Sequence, residues 1–232
     1  MKKLSRLILI SSLTFSASLF PAELSGVVTL TKPVGKRSVI QMQADAICVK
    51  QHGGKKVFSE DVVISDKGTV ANVFIYLKSG VKPSNGGVEK TEPIVLDQRG
   101  CQYIPHVWGV RVQQPFTILN SDPTLHNVHS LAKLNPNFNV GMSAQGQKIE
   151  KKFTKPEVMV RIKCDVHGWM YTYVGVMDHP YFAVTDLSGK FLLKNVPPGE
   201  YQLAAWHEKL GEKIESIIVT PTEAARKIDF SF

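Results

Sequence analysis

Alternation of apolar and polar residues with a period of two runs through almost the whole chain, and it limits the fold more than any other feature. Val73, Ile75 and Leu77 alternate in "NVFIYLK", and Phe116, Ile118 and Asn120 in "PFTILN". Val158, Val160 and Ile162 alternate in "VMVRIKC", and Ile228, Phe230 and Phe232 in "KIDFSF". Successive side chains of a strand point to opposite faces, so each run can bury one face and wet the other. Gly, Pro, Asn and Asp separate the runs, which predicts an all-β chain built as antiparallel sandwiches or barrels. Only "TEAARK" near the C-terminus is expected to make a helical turn or two.

The first residues predict a destination. Lys2, Lys3 and Arg6 precede an apolar run over 7–20 that ends in small residues and Pro21. This is the layout of a secretory signal peptide, too short for a membrane span, with cleavage suited to Ser16-Ala17-Ser18 or the neighbourhood of Pro21-Ala22. The expectation is an exported chain, periplasmic or secreted, without stable membrane insertion. The formal net charge is +8, and three positive charges lie in this leader. The other basic residues are scattered, with no arginine-rich or aromatic-interleaved stripe, which argues against nucleic acid as a partner. Three cysteines in an oxidising compartment leave one to explain: two can pair, and the third needs burial or a metal.

Two polar, turn-rich stretches punctuate the chain, "KSGVKPSNGGVEKTEP" (78–93) and "MDHPYFAVTDLSGKF" (177–191). They divide it into a leader (1–22), N-terminal strands (23–92), a middle segment (93–179) and C-terminal strands (180–232).

The middle segment carries the chemistry. In "VMVRIKC" the strand phase puts Cys164 on the face of Val158, Val160 and Ile162, so its sulfur points inward at a strand end. His167 and Met170 follow in "CDVHGWM", a glycine-containing loop that can curl back toward that sulfur. Upstream, "NSDPTLHNVHS" breaks at Asp122-Pro123 and then offers His126. A thiolate, two imidazoles and a thioether form the ligand set of a type 1 (blue) copper centre. Zinc takes four firm ligands, and Met170 is a poor one for it. A Cys/His nucleophilic pair would need an orienting residue and a substrate cleft, neither visible in the sequence, so no catalytic residue or organic cofactor is assigned.

"HNV" followed by "CDVHGWM" resembles the cupredoxins, and Cys-x-x-His-x-x-Met is similar to the short ligand loop of amicyanin within that amicyanin- and plastocyanin-like group. The resemblance covers about 85 residues and implies a Greek-key sandwich. It makes His126 the upstream histidine, Cys164 the thiolate, His167 the downstream histidine and Met170 the axial thioether of one copper ion. Asn127 then matches the residue whose backbone N–H donates to the sulfur. The ends of the chain carry a second resemblance. "TDLSGKFLLKNVPPGEYQLAAWHE", "ESIIVT" and "KIDFSF" resemble the transthyretin-like sandwich of carboxypeptidase regulatory-like domains, with opening strands in "LSGVVTL" and "NVFIYLK". This implies one sandwich from 23–92 and 180–232 with the cupredoxin inserted; two consecutive domains are the alternative.

With Cys164 engaged, Cys48 and Cys101 are expected to form a disulfide. Cys101 with His106 in "CQYIPHVWGV" is the alternative, a second metal centre, and His129 and His207 are open as further ligands or as ordinary surface and structural histidines. The reading is an exported carrier of single electrons between periplasmic redox proteins, with no turnover of its own. Copper delivery or tolerance, and a metal-free secreted sandwich binding a protein or glycan, are the alternatives. His167 at the loop is expected to show a ring edge to solvent beside Trp169, with an acidic redox partner steered by the surplus positive charge; Trp169 packing into the core is the rival reading.

Overall fold

The computed structural model describes residues 21–32, 35, 37–81 and 93–232. Of the expected leader only Pro21 and Ala22 fall among them, and Ala22 already begins a buried strand. Most of the turn-rich stretch 78–93 also lies outside the described residues. Among the described residues no helix is long and apolar enough to cross a membrane.

The fold is all-β, with four sheets arranged as two sandwiches. One sandwich joins the ends of the chain. In its first sheet Ala22–Thr29 lies between Lys190–Val196 and the strands Ala225–Lys227 and Phe230–Ser231. Its second sheet runs Phe182–Val184, Phe74–Ser79, Gly199–His207, Gly211–Val219. Between them lies a core that includes Leu24, Val73, Ile75, Leu77, Leu193, Leu203 and Phe230. The other sandwich comes from the middle of the chain. One sheet runs Val107–Arg111, Tyr171–Met177, Glu157–Lys163, His126–Ser130, Asn139–Met142, and the other Tyr103–Ile104, Ile94–Gln98, Phe116–Asn120, Lys148–Lys151. Phe116, Ile118, Val128, Val160 and Ile162 fill the space between these two.

Several local expectations change. "TEAARK" is not helical: Ala225–Lys227 runs parallel to Ala22–Thr29 and gives that strand its neighbour. Among the described residues the helix lies elsewhere, at Ala46–Gln51, where the Asp45 carboxylate caps the amides of Ile47 and Cys48. Pairing is mixed rather than purely antiparallel. Ile94–Gln98 lies parallel to Phe116–Asn120, and Val107–Arg111 parallel to Tyr171–Met177. In the first case the chain between the partners visits the opposite sheet before returning, which is what a parallel neighbour requires. Val158 does not share a face with Val160: a shift in pairing between Glu157 and Val160, with Met159 at φ 59°, turns Val158 out to solvent.

The two sandwiches meet face to face. Val73, Ile75 and Leu77 point into their own core, whereas Phe74 and Tyr76, one position out of phase, pack with Val107, Met177 and Ala204 between the sandwiches. Gly109 and Gly175 are register partners in adjacent strands. A Cβ on Gly175 would overlap the Phe74 ring, and one on Gly109 the Phe182 ring. The paired glycines thus form a dent that receives two stacked rings, 5.7 Å apart. Gly175→Ala should lower the unfolding free energy by about 1–3 kcal/mol through overpacking, read from urea melts.

His207 ends the strand Gly199–His207 at 1% exposure, with Nδ1 accepting from the amides of Lys209 and Leu210. Burial, then the neighbouring His106, pushes it down from 6.5 to about 4. Because the folded value lies below the unfolded one, the unfolded chain takes up this proton first. Its contribution is complete above pH 6.5 and is lost as pH falls through about 4. The loss should reach about 3 kcal/mol. Urea melts from pH 7 to 4 check it: His207→Gln should flatten the pH dependence relative to wild type.

Candidate metal centre

His126 opens the strand His126–Ser130, and Cys164 follows the end of the neighbouring strand Glu157–Lys163. The loop after Cys164 closes tightly: the Cys164 amide donates to the Met170 carbonyl and the Met170 amide to the His167 carbonyl, both at 2.9 Å. His126, Cys164, His167 and Met170 are all buried. His126 Nδ1 lies 3.0 Å from His167 Nδ1, and Cys164 Sγ lies 3.9 Å from His167 Nδ1. Together the three residues form a group whose ligand atoms all lie within 4.8 Å of one another.

Both imidazoles are fixed from behind. His126 Nε2 donates to Asp122 Oδ2 at 2.9 Å, and His167 Nε2 donates to Asp45 Oδ2 at 3.0 Å. A carboxylate only accepts, so each Nε2 carries a hydrogen and each Nδ1 faces inward. Asp122 also accepts from the amides of Gly100 and Cys101. Burial alone would raise both carboxylates, but their hydrogen bonds outweigh it and hold them below the usual range. Two bare lone pairs repel at 3.0 Å, so in the metal-free protein one Nδ1 carries a hydrogen and donates to the other. His126 reflects this: burial pushes it down, yet Asp122 and Cys164 raise it to about 9. Burial likewise pushes the Cys164 thiol up, but the His126 ring and the amides of Asn127, His167 and Val166 bring it down to about 7. Two nitrogens and a thiol with strong thiolate character, converging out of water, suit a soft or borderline metal ion.

Asn127 acts by more than its amide. Its side-chain carbonyl accepts from the Asp165 amide at 2.6 Å and faces Cys164 Sγ at 3.4 Å, fixing the entry to the loop. His129 is turned away from the centre and pairs with Asp165 at 2.9 Å. Cys48 and Cys101 form a disulfide closing a separation of 53 residues, worth about 4 kcal/mol by restricting the unfolded chain. Other His/Cys/Asp clusters here use Cys48 or Cys101 sulfur, which the disulfide occupies. His106 is not joined to Cys101 as a ligand; its Nε2 pairs with Glu208. His207 lies against the Phe232 ring.

The expected solvent-facing edge of His167 is overturned. The residue is 3% exposed, with Asp45 on its outer nitrogen and Cys48 Sγ 3.6 Å from that atom. Trp169 is half-buried over the His167 ring, and its Nε1 donates to the Cys101 carbonyl. Asp45 and Asp122 were not read as part of the site from the sequence. Asp45 carries a helix-cap signal, and Asp122 a turn signal before Pro123, but neither signal points to a histidine.

No protein-family model matches the chain, and no curated protein matches it. Among solved structures, a methionine-to-alanine mutant of amicyanin in its Cu(I) form is 21% identical, covering 46% of this chain and 99% of its own, with a TM-score of 0.34. A purple cupredoxin from Nitrosopumilus maritimus is 24% identical, covering 33% of this chain and 82% of its own, at 0.29. A copper-containing nitrite reductase from Thermus scotoductus SA-01 is 20% identical over 41% of this chain, at 0.34, and this chain spans 25% of that one. That enzyme overturns the expectation of no turnover: the likeness is shared by an enzyme and by amicyanins, so it does not establish enzymatic status. At such scores the chemistry of the site stands on its own donor atoms.

Unreduced protein should take up one equivalent of alkylating agent, on Cys164, and only after unfolding. Mass mapping checks this, and label on Cys48 or Cys101 without reductant would contradict the pairing.

Proposed function

We propose that His126, Cys164, His167 and Met170 hold one copper ion, and that the protein acts as an exported single-electron carrier between periplasmic redox partners. One observation carries the reading: two imidazole Nδ1 atoms and one thiol converge in a buried spot, each ring anchored at its far nitrogen. Bound there, copper would supply a one-electron couple between Cu(I) and Cu(II).

The chain's own part is to hold geometry constant. His126 is carried by a strand, Cys164 sits at the end of its neighbour, and two backbone hydrogen bonds close the loop over 164–170. Met170, buried at 1% exposure at the end of the loop, would offer a weak thioether donor, a poor ligand for zinc. Ligands this buried favour keeping a metal over handing it on, which sets electron carriage above copper delivery. The end strands are proposed as a transthyretin-like sandwich, residues 23–92 and 180–232, interrupted by the copper segment 93–179. An acidic redox protein, drawn by the net positive charge, is the proposed partner.

Titration with Cu(II) should load one ion per chain and produce an intense thiolate-to-copper charge-transfer band, absent in Cys164→Ser. Met170→Leu should keep the band and raise the reduction potential by removing a weak donor. A wild type that stays colourless and binds no copper tightly overturns the reading.

A further inference from the structure

The middle sandwich supplies all four ligands, but one group that orients them comes from elsewhere. Asp45 lies in the chain between Ala22–Thr29 and Phe74–Ser79, two strands of the other sandwich. That stretch leaves its own sandwich and crosses the ligand end of its neighbour, where Ile40, Met42, Cys48 and Val57 join the neighbour's core. It is secured at several points. The Cys48–Cys101 disulfide ties it down, Gln51 Nε2 donates to Asp122 Oδ1, and Thr124 Oγ1 donates to Asp45 Oδ2. Asp45 thus reaches His167 across 122 residues of sequence at 3.0 Å.

We propose that Asp45 is a positioning residue for the centre, holding His167 as the tautomer that presents Nδ1 to the metal and closing the ring's outer edge. The effect on a bound ion, which rests on the copper reading, follows from charge. A carboxylate on the outer nitrogen makes the imidazole a stronger donor, and such outer partners typically change metal affinity by about 10–100-fold. A stronger donor stabilises Cu(II) over Cu(I), so Asp45 lowers the reduction potential. Asp122 plays the same part behind His126, but it also accepts from the amides of Gly100 and Cys101, so it cannot be altered without disturbing the backbone.

Asp45 can be altered cleanly. Asp45→Asn removes the charge and keeps the capping oxygen, but it turns an amide N–H toward His167 Nε2 and so disfavours a hydrogen on that nitrogen. Asp45→Ser keeps the helix cap while falling short of His167. The first measurement needs no copper: nitrogen-15 spectra of the imidazoles in metal-free protein with its disulfide intact. Wild type should show His167 protonated at Nε2 and bare at Nδ1, and Asp45→Ser should lose that fixed tautomer while the disulfide persists. Loaded with copper, both variants should keep the charge-transfer band, bind copper about 10–100-fold more weakly and show a raised potential. An unchanged His167 tautomer in Asp45→Ser, or an unchanged potential in both variants, overturns the role of Asp45. A wild type without a charge-transfer band overturns the copper reading instead, and the metal-free spectra then decide the role of Asp45 alone.

Discussion

An imidazole has two nitrogens, and a centre built from two of them depends on which nitrogen of each ring faces in. Here a carboxylate behind each ring makes that choice. Asp122 and Asp45 each accept from an Nε2–H, so both Nδ1 atoms are turned toward Cys164 and come within 3.0 Å of each other. Without those two acceptors, either ring could flip or change tautomer and point a hydrogen into the space where the donors meet. Most of the local architecture serves this arrangement. The strands fix His126 and Cys164, Asn127 fixes the loop entry through the Asp165 amide, and the disulfide fixes the helix that Asp45 caps.

The same logic bears on how the two sandwiches pack together. Asp45 would be a poor anchor if its own sandwich could swing away from the ligands. The strand Phe74–Ser79 prevents this by using both faces: Ile75 and Leu77 inward, Phe74 and Tyr76 outward into the neighbour. Gly109 and Gly175 leave the backbone bare where those rings arrive, so the contact is a fitted joint rather than two smooth surfaces touching. Buried aromatic contact resists sliding, and a strap crossing such a joint keeps its length.

Parts of this were legible in the sequence and parts were not, and the division follows distance along the chain. Cys164, His167 and Met170 sit within one loop that backbone hydrogen bonds close, and strand alternation turns Cys164 inward, where the structure has it. The same alternation failed at Val158, because the irregularity at Met159 resets the phase and period-two reasoning has no term for an inserted residue. "TEAARK" has helix-forming residues, yet the strand Ala22–Thr29 needed a partner and tertiary pairing prevailed over local propensity. Nothing local to Asp45 says that a residue 122 positions away will offer it an N–H.

Under the copper reading, sealing His167 would change how an electron travels. A ring edge at the surface would let a partner touch a ligand directly, but Asp45 and Cys48 occupy that edge. What remains nearby is a cleft of about 380 Å³ whose lining includes Gly168, Trp169, Met170, Tyr171, Gln41 and Asp61. Trp169 lies tilted against the His167 ring at 5.0 Å between centroids and also lines this cleft. Under the copper reading, the strap that fixes the ligand field also displaces the contact surface from the histidine to the tryptophan side of the loop. The proposed partner would then meet a recess whose lining includes Asp61 and Glu60 beside aromatic rings; net positive charge would attract it from afar while the recess itself sets the fit at contact.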